Sequence, residues 1–164
     1  MRIRSSLLVP ILAFVLWTPA SPVTGQTNND HETMRVFIFA GQSNMVGSDS
    51  KVRDIKRFPP YAGLEHPQEN VMFTYCLGRE NKKRSEGWIP LQHVNNVVGP
   101  ELSFARRVTH YIKAPVGIIK VAAGGTHLGG DWNPDEPIGF KMYPLAITTV
   151  EKALVGLREQ GIKY

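Results

Sequence analysis

Short apolar runs alternate with amphipathic stretches along most of the chain. Residues 35–40 (RVFIFA) are β-branched and aromatic and run into Gly41, the pattern of a fully buried central strand. Between residues 48 and 98, Pro59, Pro60, Gly63, Pro67, Asn81 and Gly87 interrupt the pattern so often that only a short strand, residues 70–75, is predicted there. Pro100 then opens a predicted helix. Phe104, Val108 and Ile112 recur at four-residue spacing with Leu102, Ala105 and Tyr111 alongside, and His110 and Lys113 suit its carboxyl end. Pro115 stops this helix, and residues 116–122 (VGIIKVA) read as a second central strand that feeds the turn Ala123, Gly124, Gly125. A last helix has Pro144 at its first position, Ile147, Val150, Leu154 and Leu157 on one face, and Gly161 as its stop; residues 162–164 begin a further extended stretch. Strands alternating with amphipathic helices predict an α/β domain with a parallel sheet between helices, its site at the carboxyl ends of the strands.

The apolar run at the amino terminus is of another kind. Arg2 and Arg4 precede residues 7–17, an apolar run shorter than the ~20 residues of a membrane span, and small residues follow at Ala20, Ser21 and Gly25. This layout predicts a secretory signal peptide over residues 1–25, cut after Gly25 in preference to Ala20, with an uncleaved anchor as the competing reading. Residues 26–34 are then a polar linker and residues 35–164 the folded part, in a secreted or periplasmic protein. Cleavage takes the formal net charge from +5 to +3, because the removed segment carries two arginines and no acid. The remaining basic residues include two short clusters, Lys51, Arg53, Lys56, Arg57 and Arg79, Lys82, Lys83, Arg84. Neither has the interleaved aromatics of a nucleic-acid platform, so no nucleic-acid partner is expected. Cys76 is the sole cysteine, so no internal disulfide can form and the fold must stand on its core.

The sheet rule directs attention to residues 41–47, GQSNMVG, just after the first strand. Gly41 permits a sharp turn on which Ser43 would present its hydroxyl, with neighbouring backbone N–H groups converging on an anion; the competing reading of Ser43 is a helix cap. Gly99, immediately before a helix start, offers an N–H without a helical partner, or is a simple loop glycine. Gly124 and Gly125 follow the second strand at the same sheet edge. That turn lacks the Lys-Ser/Thr ending of a phosphate loop and the spacing of a dinucleotide fingerprint.

These blocks resemble the SGNH hydrolases, and within them the carbohydrate acetylesterases related to sialate O-acetylesterase. Residues 41–45 (GQSNM) look like the nucleophile block, Val98, Gly99, Pro100 and Glu101 followed by Phe104 and Ala105 like the second, and Gly124, Gly125, Thr126 with Trp132 like the third. The resemblance runs from Arg35 to Tyr164. It implies a flavodoxin-like three-layer α/β/α fold, an acetylated carbohydrate substrate and no metal or organic cofactor. Ser43 is implied as the nucleophile, and the backbone of Ser43, Gly99, Gly124 and Gly125 as the oxyanion hole. Gln42, Asn44, Glu101, Thr126, His127 and Trp132 are expected to line the substrate site. Asn44 would also steady the turn, Glu101 could instead favour the helix amino terminus, and Trp132, like Trp88, could be a core anchor.

Two departures matter. The third block has no asparagine to act as an oxyanion donor, and no Asp-x-x-His, the pattern that carries the family's catalytic acid and base, occurs in the chain. His127 is the best local substitute for the base, although no acid beside it is evident in sequence. His127, Asp131 and Asp135 could also be read as metal ligands, and Cys76 as a nucleophile, both weaker than packing explanations. Because the family continues into a strand and a Gly-Glu-Ser-Asp stretch, the expectation is a truncated reading or half of a split gene. A complementing carboxyl-terminal segment is then a possible partner. Two rival readings stay open: a catalytically silent carbohydrate-binding protein, and a secreted interaction fragment.

Overall fold

The computed structural model describes residues 32–164. The predicted signal peptide and most of the linker lie outside the described residues. The chain forms mixed α/β structure: β1 (Arg35–Gly41), a single-turn helix α1 (Ser43–Val46), β2 (Gln68–Leu77), β3 (Lys83–Arg84), β4 (Ile89–Leu91), α2 (Pro100–Tyr111), β5 (Val116–Ala122) and α3 (Met142–Glu159). Two 3₁₀ turns, Val52–Arg57 and Pro59–Tyr61, fill the loop before β2.

β1, β5 and β2 are parallel neighbours in that order, and the short β3 and β4 pair antiparallel with the other side of β2. β5 therefore lies between two parallel partners, and all seven of its residues are buried, as a run rich in Val, Gly and Ile in that position requires. β1 does not hold the central position expected of it. Among the described residues it has β5 on one side only, and Ile38 is 56% exposed. Among the described residues, the mostly parallel sheet with helices on its faces is consistent with an SGNH-like fold.

Helices cover both faces. On one, Phe104, Leu102 and Ala105 of α2 pack on Phe37, Phe39, Val71, Phe73, Val116 and Ile118, with Phe104 edge-on to both β1 phenylalanines at 4.9 and 5.2 Å. On the other, Met142 and Ala146 of α3 pack on Cys76, Val121 and Ala123. The buried face of α3 is Met142, Ala146, Ala153 and Leu157, so the apolar stripe predicted for it is rotated: Leu157 is fully buried, whereas Ile147 is 43% exposed. Small alanines face the sheet because the helix lies close on β5 and β2. The region expected to hold one short strand instead forms the long β2, which starts two residues earlier and ends two later than predicted, together with the hairpin strands β3 and β4.

Candidate active site

The strand register places Gly41, Ala122 and Leu77 side by side at the carboxyl edge of the sheet. Their exits are laced together: Ala123 N–H donates to the Gly41 carbonyl at 3.1 Å and Gly78 N–H to the Ala122 carbonyl at 2.9 Å. From the β1 exit, α1 begins at the half-buried Ser43 and closes at Gly47, whose φ of 88° lets its N–H return to the Ser43 carbonyl at 3.0 Å.

The other two glycine turns meet this one. A Cβ on Gly124 would stand 3.7 Å from Ser43 Cβ. A Cβ on Gly47 would fall 2.5 Å from the Val98 carbonyl oxygen and 2.8 Å from Gly99 N, so the α1 turn lies directly against the start of α2. Val98 N–H donates to the Ser50 carbonyl at 2.9 Å and secures that approach. Gly99 is the extended N-cap of α2. Among the described residues the amides of Ser43, Gly99 and Gly124 have no backbone acceptor, which is what an anion site built from N–H groups needs. Gly125 (φ 72°) lies on the Arg79 side, where an added Cβ would come 3.3 Å from the guanidinium.

Beneath the turns sits a buried ion pair. Lys120 Nζ on β5 donates to Glu101 Oε2 on α2 at 2.6 Å, both side chains being 2% exposed, and also reaches the Val46 carbonyl of α1 at 3.3 Å. Burial holds the Lys120 ammonium below its usual range, and Glu101 opposes that shift. The pair ties β5, α2 and α1 together. A Cβ on Gly99 would collide with both the Glu101 carboxylate and the Lys120 ammonium. Glu101 is thus spent under the site, and its carboxylate is not exposed to a substrate as the sequence suggested. Lys120 is the residue sequence reasoning missed. Its signal was present, since a lysine inside VGIIKVA needs a buried partner.

The loop after β5 is held from within. Thr126 Oγ1 donates to the Ala123 carbonyl at 2.9 Å and accepts from Trp132 Nε1 at 3.0 Å, which makes Thr126 a buried clamp and Trp132 a half-buried anchor. Asp131, 2% exposed, accepts His127 N–H at 3.0 Å and Phe140 N–H at 2.6 Å. These backbone amides, that of His127 foremost, hold its carboxyl below the usual carboxylate range. His127 does have an acid nearby, contrary to its sequence reading: its Nε2 is 3.6 Å from Asp131 Oδ2, beyond hydrogen-bond reach, and the imidazole is 68% exposed. Gln42 and Asn44 are exposed beside Ser43. Trp88 lies elsewhere, with Nε1 on the Ala153 carbonyl at 3.0 Å and its ring against Gly117 near the amino edge of the sheet. Cys76 is buried packing.

A family profile described as carbohydrate esterase, sialic acid-specific acetylesterase matches residues 33–163. The chain belongs to this carbohydrate esterase family. No curated protein matches the chain. Among solved structures, an Arabidopsis thaliana protein determined by X-ray diffraction superposes with a TM-score of 0.51 at 21% identity, covering 80% of this chain and 54% of that one. At that identity the likeness concerns the fold. The chain spans about half the length of that structure. In this family member, the three motif blocks that carry the family resemblance are three neighbouring turns, the Gly124 turn against Ser43 and the Val98–Gly99 turn against Gly47.

Proposed function

We propose that this carbohydrate esterase is a secreted SGNH-type serine hydrolase that removes O-acetyl groups from carbohydrates, with Ser43 as its nucleophile. Ser43 Oγ attacks the acetyl carbonyl, the sugar hydroxyl leaves, and water hydrolyses the acetyl-serine. The amides of Ser43 and Gly99 hold the oxyanion, and Gly124 or Gly125 supplies the further donor that the missing asparagine would give. Gln42 and Asn44 face the sugar. The single observation that carries the reading is a serine on the carboxyl edge of a parallel sheet whose turn abuts the Gly99 and Gly124 turns, with the amides of all three lacking a backbone acceptor among the described residues. Losing one oxyanion donor costs about 3–4 kcal/mol of transition-state stabilisation.

A serine hydroxyl also needs a base. His127 is exposed and its carboxylate neighbour is engaged by backbone amides, so the imidazole and its acid are expected from a further, complementing segment. The same observation favours the second reading, a carbohydrate-binding protein that does not turn over. Acetate release from O-acetylated xylo-oligosaccharides by wild type and Ser43→Ala, with free imidazole added in place of the base that the described residues do not supply, decides between them. The esterase reading expects release that disappears in the variant. Equal release by both proteins removes Ser43 as the nucleophile, and saturable binding with no release by wild type leaves the silent reading.

A further inference from the structure

A cavity opens beside the serine turn. It has a volume of about 580 Å³ and runs between the loop of the two 3₁₀ turns and the start of α2, lined by Asn44, Asp49, Asp54, Phe58, Tyr61 and Ser103 among others. That volume lies in the ~300–1,000 Å³ range of small-molecule sites. Asn44 is the residue after Ser43, and Gly99 also lines the cavity, so the cleft begins where the acetyl-bearing sugar would sit.

Phe58 is 52% exposed and Tyr61 48% exposed, although the loop that carries them is firmly held. Ile55 and Leu64 anchor it in the core at 4% and 1% exposure. Val52 N–H donates to the Asn96 carbonyl at 3.1 Å, and the Arg106 guanidinium on α2 donates to the carbonyls of Ala62, at 2.7 Å, and Pro60. Two aromatic rings on a tethered loop, facing one cavity with carboxylate, amide and hydroxyl groups around them, combine a stacking surface with hydroxyl acceptors and donors. A pyranose presents the matching chemistry: an apolar C–H face and a rim of hydroxyls. Tethering lowers the ordering cost of binding.

The charge arrangement selects among sugars. Asp49 and Asp54 are matched by Lys51 and Arg57 in the same lining, with Arg57 Nη1 3.5 Å from Asp54 and Lys51 Nζ donating to the Ser48 carbonyl at 2.7 Å. The lining carries no net charge, so it offers no excess cation for a sugar carboxylate.

We propose that this cleft is a subsite for the neutral pyranose units of a glycan chain, with Phe58 and Tyr61 as its stacking residues. It rests on the carbohydrate reading above and names the kind of glycan, an extended neutral chain in place of a single acidic sugar.

The test is binding, which does not depend on turnover. Xylotetraose carrying no acetyl group is titrated into the Ser43→Ala protein and followed by ¹H–¹⁵N correlation spectra. Saturable binding is expected, with shifts at Asn44, Phe58, Tyr61 and Ser103. The double variant Phe58→Ala/Tyr61→Ala should weaken it at least tenfold, while Phe58→Trp, which retains a ring, should bind within about threefold of the parent. Spectral dispersion reports whether each variant is folded; should the double variant not fold, Phe58→Trp and the shift map decide. No binding of xylotetraose, shifts located elsewhere, an affinity unchanged by the double variant, or preferential binding of N-acetylneuraminic acid in the same cleft would each overturn the proposal. Binding here without acetate release by wild type in the imidazole-supplemented assay would sustain the subsite and remove the esterase reading, and release without such binding would do the reverse.

Discussion

Lys120→Met is the substitution whose effect the structure fixes most tightly. Lys120 and Glu101 are both 2% exposed and 2.6 Å apart. At an effective dielectric of ~20, unit charges at that separation attract by roughly 6 kcal/mol, while the effective cost of desolvating each ion is several kcal/mol. Attraction and desolvation nearly cancel, so the intact pair adds little net stability. Removing one partner abolishes the attraction and leaves the Glu101 carboxylate buried, which costs about 3–5 kcal/mol. That is a large fraction of the ~5–15 kcal/mol stability of an ordinary domain. Lys120→Met also withdraws the donor from the Val46 carbonyl behind the serine turn.

Urea denaturation followed by far-UV circular dichroism measures it. Lys120→Met should lower the unfolding free energy by about 3–5 kcal/mol, and the double variant Lys120→Met/Glu101→Leu should recover most of that loss, because no buried charge remains. The pH dependence has a definite sign. The folded-state pKa of Lys120 is depressed, so at high pH the unfolded chain binds more protons at this site. Its contribution then makes stability rise with pH between the folded pKa and the ordinary lysine value of 10.5. A loss below about 1 kcal/mol in Lys120→Met, or strictly additive single and double variants, would refute the buried-pair argument.

Three other outcomes follow from the packing and charges. Gly47→Ala should cost more than ~1 kcal/mol in the same denaturation assay, because the φ of 88° is left-handed and the methyl would meet the Val98 carbonyl at 2.5 Å; a neutral effect would place the α1 turn away from Gly99. Leu157→Ala should lose about 2–5 kcal/mol and Ile147→Ala under ~1 kcal/mol, since Leu157 is fully buried and Ile147 is 43% exposed; equal losses would mean that α3 is rotated from the phase described. Asp131, whose carboxyl is held below the ordinary aspartate value of 3.8, supplies stability that is complete above that value and lost as pH falls through its folded pKa. The melting temperature of wild type should therefore fall more steeply than that of Asp131→Asn on acidification, and parallel curves would remove the backbone amides as the cause.

Element existence was largely legible in the sequence because the period signals are strong. β5 occupies residues 116–122 as read, and α2 starts at Pro100 as read, ending two residues before Lys113. What the pattern could not supply was which strand lies inside. RVFIFA and VGIIKVA are both apolar, and strand order is set by pairing partners far along the chain, here β2 against β5. The phase of α3 escaped for a related reason: Ile147 and Leu154 look like core residues by hydrophobicity, yet Ala146 and Ala153 face the sheet because close approach favours small side chains. The three turns of the site were readable, since glycines at strand and helix ends mark backbone that must turn or touch. The supports beneath them were not. Glu101 and Lys120 are nineteen residues apart, and local sequence cannot show that a helix start and a strand end share one ion pair.

That ion pair bears on what these residues can do by themselves. An oxyanion site stabilises developing charge only if its donors are fixed before the reaction, because reorganising dipoles at that moment costs what the interaction gains. Here each turn is fixed by contacts within the protein: Gly47 against Val98, Val98 N–H on the Ser50 carbonyl, Ala123 N–H on the Gly41 carbonyl, and Lys120 across Glu101 and the Val46 carbonyl. The fold thus preorganises the serine turn and its amides independently of any base. Base and oxyanion hole are separable in serine hydrolases, in which loss of a triad member still leaves roughly 10³–10⁴-fold catalysis over water. On the proposed reading, an imidazole brought to Ser43 would meet turns already in place, and the chemistry it completes would be set by its own reach to the Ser43 hydroxyl.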